Sequence, residues 1–199
     1  ATGPRGIIAP VWNPDGSAVL YGEFDGNRPY VRHVDLNTGE ESIFSESKVG
    51  EYPYGFSTDG RHFAFVRARS NVDSQVFIRT DDEEPVPLGN SSARHICPRI
   101  DPVDQNVAYA TNESGRWEVC ISPFGKPGRR IQVSIDGGSD PVWAPDGSEL
   151  FFRNGDTVYS VAIERGARLR VAQPQALFNF PFGDKISLYA SSFDIHPDG

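Results

Sequence analysis

The chain has no methionine, only two cysteines, no basic cluster longer than Arg129-Arg130, and no long apolar run. Each absence excludes something. Crossing a bilayer as a helix takes roughly 18 or more consecutive apolar residues, so no transmembrane helix is expected, and no charged start followed by an apolar stretch marks a signal peptide. With a net charge of −8 and no basic stripe, an electrostatic grip on phosphate backbones is excluded and nucleic acid is no partner. Cys97 and Cys120 are too few for a disulfide-framed small domain. The missing methionine implies that the natural start is absent or processed away, and any targeting segment with it.

What is present is turn-forming and apolar. Twenty glycines, 16 prolines, 38% hydrophobic residues and 12% aromatics suit an all-β chain with many turns and a real core.

The phrase APVWNPDGSAVLY (Ala9–Tyr21) returns as DPVWAPDGSELFF (Asp140–Phe152). Aligning on its second proline gives Pro14, Thr58, Pro102, Pro145 and Pro197, spaced 44, 44, 43 and 52 residues apart. Two residues before each anchor stands a large apolar residue, Trp12, Phe56, Ile100, Trp143 or Ile195, and four before it Pro10, Tyr54, Pro98, Pro141 or Phe193. Such alternation suits a strand. Asn13-Pro14-Asp15-Gly16 then has the residues of a type I turn. Second strands start at Ala18, His62, Asn106 and Glu149, third strands at Tyr30, Gln75, Trp117 and Thr157, and weaker fourth strands at Glu41, Pro85, Arg130 and Gln175.

Four antiparallel strands in about 44 residues, repeated, are the blade of a β-propeller. Runs such as FAFV are apolar on both faces and bury them only between sister blades. The expected blades cover about 10–47, 53–92, 97–137 and 140–183, with a partial fifth over 191–199: four full blades plus the start of a fifth, part of a larger ring in a single segment. A strand lies between Cys97 and Cys120, which puts them about 9–10 Å apart, beyond bridging distance. Two free thiols are expected.

The units resemble the TolB-like, WD-type propeller repeats of bacteria, written PxWSPDGxxLAF. The match is close in PVWNPDGSAVLY and PVWAPDGSELFF, looser in YGFSTDGRHFAF and loosest in PRIDPVDQNVAY, where Val103 and Asp104 replace Asp and Gly and a shorter turn is expected. The stretch from Asn112 to Ile163 further resembles propellers appended to bacterial serine/threonine kinases of the eukaryotic type. That resemblance implies a non-catalytic domain for binding or sensing, in an extracytoplasmic or periplasmic setting. Relatives of this kind have six or more blades, so both ends read as cut.

No chemistry is expected. Gly55-Phe56-Ser57-Thr58-Asp59 approaches GxSxG but ends in the wrong residue, and Ser57 falls in the repeat's turn. His95 and Cys97 form an HxC pair that nothing nearby completes to a metal site. Asp15, Asp59, Asp146 and Asp198 read as turn residues capping amides, and Asp81 to Glu84 as a solvated outer turn. His33 and His62 read as packing or surface residues. No cofactor and no metal are expected, and the chain is read as not an enzyme.

In a propeller, the blade-joining loops share one face with the loops between second and third strands. Here the joining loops are Val49–Tyr52, Ser91–His95, Asp136–Asp140 and Phe182–Ser191. Glu51, His95, Arg99 and Tyr189 are therefore the candidate binding residues for a protein or small ligand at the channel mouth. Open strand edges add the expectation of self-association. The other reading is a propeller gating a hydrolase domain that lies outside these residues.

Overall fold

The computed structural model describes residues 6–24, 29–45, 47–70, 72–89, 92–103, 106–125, 129–182 and 192–196. It is all-β, with four antiparallel sheets that follow one another along the chain. The first holds β1 (Gly6–Trp12), β2 (Ala18–Phe24), β3 (Pro29–Asp35) and β4 (Glu41–Ser45), in that spatial order. The second holds β5 (Gly50–Phe56), β6 (His62–Ser70), β7 (Asp73–Thr80) and β8 (Val86–Pro87); the third, β9 (His95–Ile100), β10 (Asn106–Thr111), β11 (Glu118–Pro123) and β12 (Ile131–Gln132). The fourth holds β13 (Ser139–Trp143), β14 (Glu149–Asn154), β15 (Thr157–Glu164) and β16 (Arg170–Val171), with β17 (Gln175–Asn179) also paired to β15. Apart from β17, each strand lies beside its predecessor, a meander of hairpins. None of the described residues forms a helix long and apolar enough to cross a membrane.

The first hairpins of the first, second and fourth sheets show why the phrase recurs. Gly16, Gly60 and Gly147 donate to the carbonyls of Asn13, Ser57 and Ala144, 2.9–3.0 Å away, closing three-residue-span turns. Each glycine has φ of 70–74°, a region that a Cβ disfavours. Asp15, Asp59 and Asp146 accept from the backbone amides of Ser17, Arg61 and Ser148 at 2.8–3.1 Å. The carboxylate thereby locks the turn two residues onward, and side-chain hydrogen bonds from Ser17, Ser57 and Ser148, with those backbone bonds adding to them, hold the three Asp pKa values below the ordinary range.

The innermost strands β1, β9 and β13 are bulged where Ala9, Cys97 and Asp140 take φ of 49–52°. In β5 the corresponding residue is Pro53, whose ring forbids that angle, and the irregularity moves to between Pro53 and Gly55.

The core is three seams, each between successive sheets. Leu20 and Val31 meet Phe63 and Phe65; Ala64, Val66 and Val76 meet Ile96, Val107 and Tyr109; Ala108, Val119 and Ile121 meet Trp143, Leu150 and Phe152. Neighbours along β6 therefore serve opposite seams, Phe63 and Phe65 one, Ala64 and Val66 the next, which is the physical reason for its unbroken apolar run. Each buried Val, Leu, Ile or Phe among them contributes about 1.5–3 kcal/mol.

The fourth strands are more broken than the sequence suggests. Pro85 and Pro87 lack amide donors and limit β8 to two residues, and β16 is an additional short strand on the edge that β17 shares. Of the expected fifth unit, residues 192–196 form no strand. They dock by side chains instead: Ser192 Oγ donates to Asp140 at 2.8 Å, and the Phe193 ring lies 5.8 Å from that of Phe182, tilted by 48°. The third unit's expected shorter turn lies partly in 104–105, outside the described residues.

Candidate functional site

The bulges bring a row of polar side chains together across the innermost strands. Tyr54 Oη lies 3.8 Å from Cys97 Sγ, Cys97 Sγ lies 3.4 Å from Asp140 Oδ1, and Asp140 Oδ2 accepts from both Ser192 and Arg153 Nε, the latter at 2.7 Å. Tyr54 and Cys97 are 43 residues apart, as are Cys97 and Asp140, so each link joins one repeat to the next. Asp140 and Arg153 are both buried, with side-chain exposures of 0% and 2%. Burial pushes the Tyr54 phenol and the Cys97 thiol well above their ordinary pKa values. At physiological pH both keep their protons, and the row is a hydrogen-bonded girdle.

Three of the four residues singled out from the sequence are tied to this interior. Glu51 is fully buried, accepting from Arg67 Nε at 2.6 Å and from Ser45 Oγ of the preceding sheet. His95 is buried edge-on to Tyr109, 5.2 Å between ring centroids; burial, with Arg130 adding to it, lowers its pKa to about 4. Arg99 is half-buried, its Nη1 donating to the carbonyls of Tyr54 and Pro98, its guanidinium 5.5 Å over the Tyr54 ring. Tyr189 lies outside the described residues. Cys97 and Cys120 are both free and buried, on either side of β10.

The opposite face, formed by the first-hairpin turns, carries features that sequence reasoning missed. Between the first and second sheets a cleft of about 560 Å³ opens, floored by Leu20, Phe44 and Phe56 and rimmed by His33, Arg61 and Asp81. Arg61 and Asp81 pair at 2.8 Å, both largely exposed. Between the third and fourth sheets the corresponding space is filled by Arg165. Its two Nη atoms donate to both oxygens of Asp101 at 2.9 and 2.8 Å, and Nη2 also donates to the Gly147 carbonyl at 2.7 Å. The repeat offsets of Asn13 and Asp101 flagged equivalent turns, but nothing local in the sequence announces which seam has a plug.

No family model matches the sequence. The fold is similar to TolB from Acinetobacter baumannii, with a TM-score of 0.66 and 19% identity over 87% of this chain. The likeness is one of fold, that of a β-propeller built of antiparallel four-stranded sheets. A Mycobacterium tuberculosis puromycin-hydrolyzing peptidase gives 0.64 and 16% identity over 88% of the chain, and a chain of the nidogen/laminin complex gives 0.59 and 16% over 84%. The chain spans 45% of the Acinetobacter TolB chain, 31% of the peptidase and 64% of the nidogen/laminin chain.

Proposed function

We propose that this TolB-like segment is a non-catalytic binding domain, a sensor or scaffold region of a larger bacterial protein, that takes a protein segment or small ligand. The observation that carries the reading is a division of labour. The inner-row groups Glu51, Cys97 and Asp140 are engaged in sheet-to-sheet bonds and Arg153 pairs with Asp140 inside the fourth sheet, whereas Arg61, Asp81 and His33 rim an open cleft with an aromatic floor. Its volume falls in the range of ligand sites, about 300–1,000 Å³. The likeness to a chain of the nidogen/laminin complex supports a protein partner. An extracytoplasmic setting belongs to the same reading and rests on the resemblance alone.

The test is peptide selection from a displayed random library on the immobilised protein. Binders that lose affinity at least tenfold against Arg61→Glu support the reading. An absence of binders, binders indifferent to the substitution, or hydrolysis of ester or peptide substrates by the purified chain overturns it.

The second reading, a propeller gating a hydrolase domain outside these residues, is favoured by the likeness to the puromycin-hydrolyzing peptidase. It requires the full-length polypeptide to react with a serine-directed fluorophosphonate probe, and this segment alone not to.

A further inference from the structure

Gly60 and Gly147 hold the same place in two copies of the first-hairpin turn, and what lies over them differs. A Cβ on Gly147 would lie 2.5 Å from Arg165 Nη2, whereas one on Gly60 would meet only the Pro14 ring, at 3.8 Å. The slot that a guanidinium fills in the third–fourth seam is therefore open in the first–second seam.

The filled slot offers its guanidinium three kinds of partner. Arg165 meets both Asp101 oxygens, the Gly147 carbonyl and the Trp143 ring, whose centroid is 5.9 Å away. The open slot repeats each kind. Phe56 stands at the repeat position of Trp143 and Gly60 at that of Gly147, and both line the cleft. Asn13, at the position of Asp101, is committed to its own turn, accepting from the Ala18 amide at 2.8 Å and donating to Ser17 Oγ at 3.0 Å. The negative charge comes instead from Asp15 and Asp59, both exposed on the cleft's rim. Their turn bonds run through Oδ1, which leaves Oδ2 for a ligand. With Asp81, three carboxylates line the cleft against one guanidinium, that of Arg61, which is itself paired with Asp81. Such a rim attracts a cation.

The second sheet carries the wrong charge at the plug's position. Asp81 donates its amide to the Arg61 carbonyl as Ile163 does to that of Ser148, so Glu83 stands where Arg165 stands in the fourth sheet.

We propose that this cleft seats an arginine side chain of a protein partner, its stem on Leu20, Phe44 and Phe56 and its guanidinium between Asp15, Asp59 and the Gly60 carbonyl. The inference rests on the reading of the cleft as a ligand site and names what that site takes. Arginine suits it better than lysine, because a planar fork of donors serves several acceptors at once and lies flat on an aromatic ring. Arg61 bonds Asp81 through Nε and Nη2, which leaves Nη1 as a donor for a backbone carbonyl beside that arginine.

The probe is Nα-acetyl-L-arginine methylamide, titrated into isotope-labelled protein and followed by NMR beside its citrulline and lysine counterparts. It is expected to shift the signals of residues lining the cleft, and the uncharged citrulline probe to bind about tenfold more weakly. Asp15→Asn and Asp59→Asn are each expected to weaken the arginine probe about tenfold. Both keep an oxygen for the turn amide, so melting should stay close to that of the wild type. An arginine probe that shifts nothing in the cleft, binds no better than either counterpart, or is indifferent to both substitutions overturns the proposal. Selected peptides tell the two failures apart. Binders that depend on Arg61 but carry no arginine overturn this inference and leave the cleft reading standing, whereas no peptide binding in the cleft overturns both.

Discussion

Arg165 and Asp101, 64 residues apart, form a two-pronged ion pair that staples the fourth sheet to the third. The Asp101 side chain is fully buried and that of Arg165 is 24% exposed. Removing one partner of a buried pair strands the other, at about 3–5 kcal/mol. Partial exposure of the guanidinium brings Asp101→Asn to about 2–4 kcal/mol, a fall in Tm of roughly 5–12 °C for a chain of this size. Thermal unfolding followed by circular dichroism checks it. By contrast, the exposed Arg69–Asp73 pair should cost less than about 1 kcal/mol to remove.

Ala9 stands at φ 49° in the bulge of β1. A side chain in that region costs about 1–2 kcal/mol, part of which glycine recovers and part of which it loses through a freer unfolded chain. Ala9→Gly should therefore stabilise by about 0.5–1 kcal/mol in urea unfolding. Asp140→Gly, at the same kind of backbone position, should destabilise instead, because it leaves Arg153 buried without its carboxylate.

His95 should make stability fall with acid. Its folded pKa is lowered from 6.5 to about 4, so below pH 6.5 the unfolded chain takes up a proton that the folded chain refuses. Its contribution is present above pH 6.5 and is lost as pH falls toward 4, up to about 3 kcal/mol in all. His95→Gln should flatten the stability-versus-pH curve between pH 6.5 and 5, before most carboxylates titrate.

The thiols should be silent in the native state. Burial raises Cys97 strongly and pushes Cys120 up to about 12, leaving almost no thiolate at pH 8. Labelling with a thiol reagent should give none per chain when folded and two when unfolded, with no change on adding reductant.

Much of the fold was legible because it is written locally. The second strands begin at Ala18, His62 and Glu149 as the turn offsets dictate, since Pro-Asp-Gly or Thr-Asp-Gly turn chemistry fixes a hairpin within a few residues, and the third unit keeps the offset at Asn106 without that turn sequence. The short β8 was less legible, because Pro85 and Pro87 remove donors from a stretch whose apolar pattern still reads as strand. The site was hardest. Glu51 and Arg99 were singled out for charge and location, but whether a charge meets solvent depends on partners far along the chain, such as Arg67 for Glu51 and the Tyr54 carbonyl for Arg99. The cleft beside Arg61 and the plug at Arg165 occupy equivalent seams and differ by one long side chain reaching across.

The links of the girdle have a consequence for how such a chain can change length. Tyr54 to Cys97 and Cys97 to Asp140 both span 43 residues, and Thr58 to Pro102 and Arg99 to Trp143 both span 44. Gaining or losing a few residues inside a strand shifts every later partner out of step, whereas gaining or losing a whole repeat leaves the phase intact. Tolerance to insertion is thus quantised, with one complete sheet as its quantum.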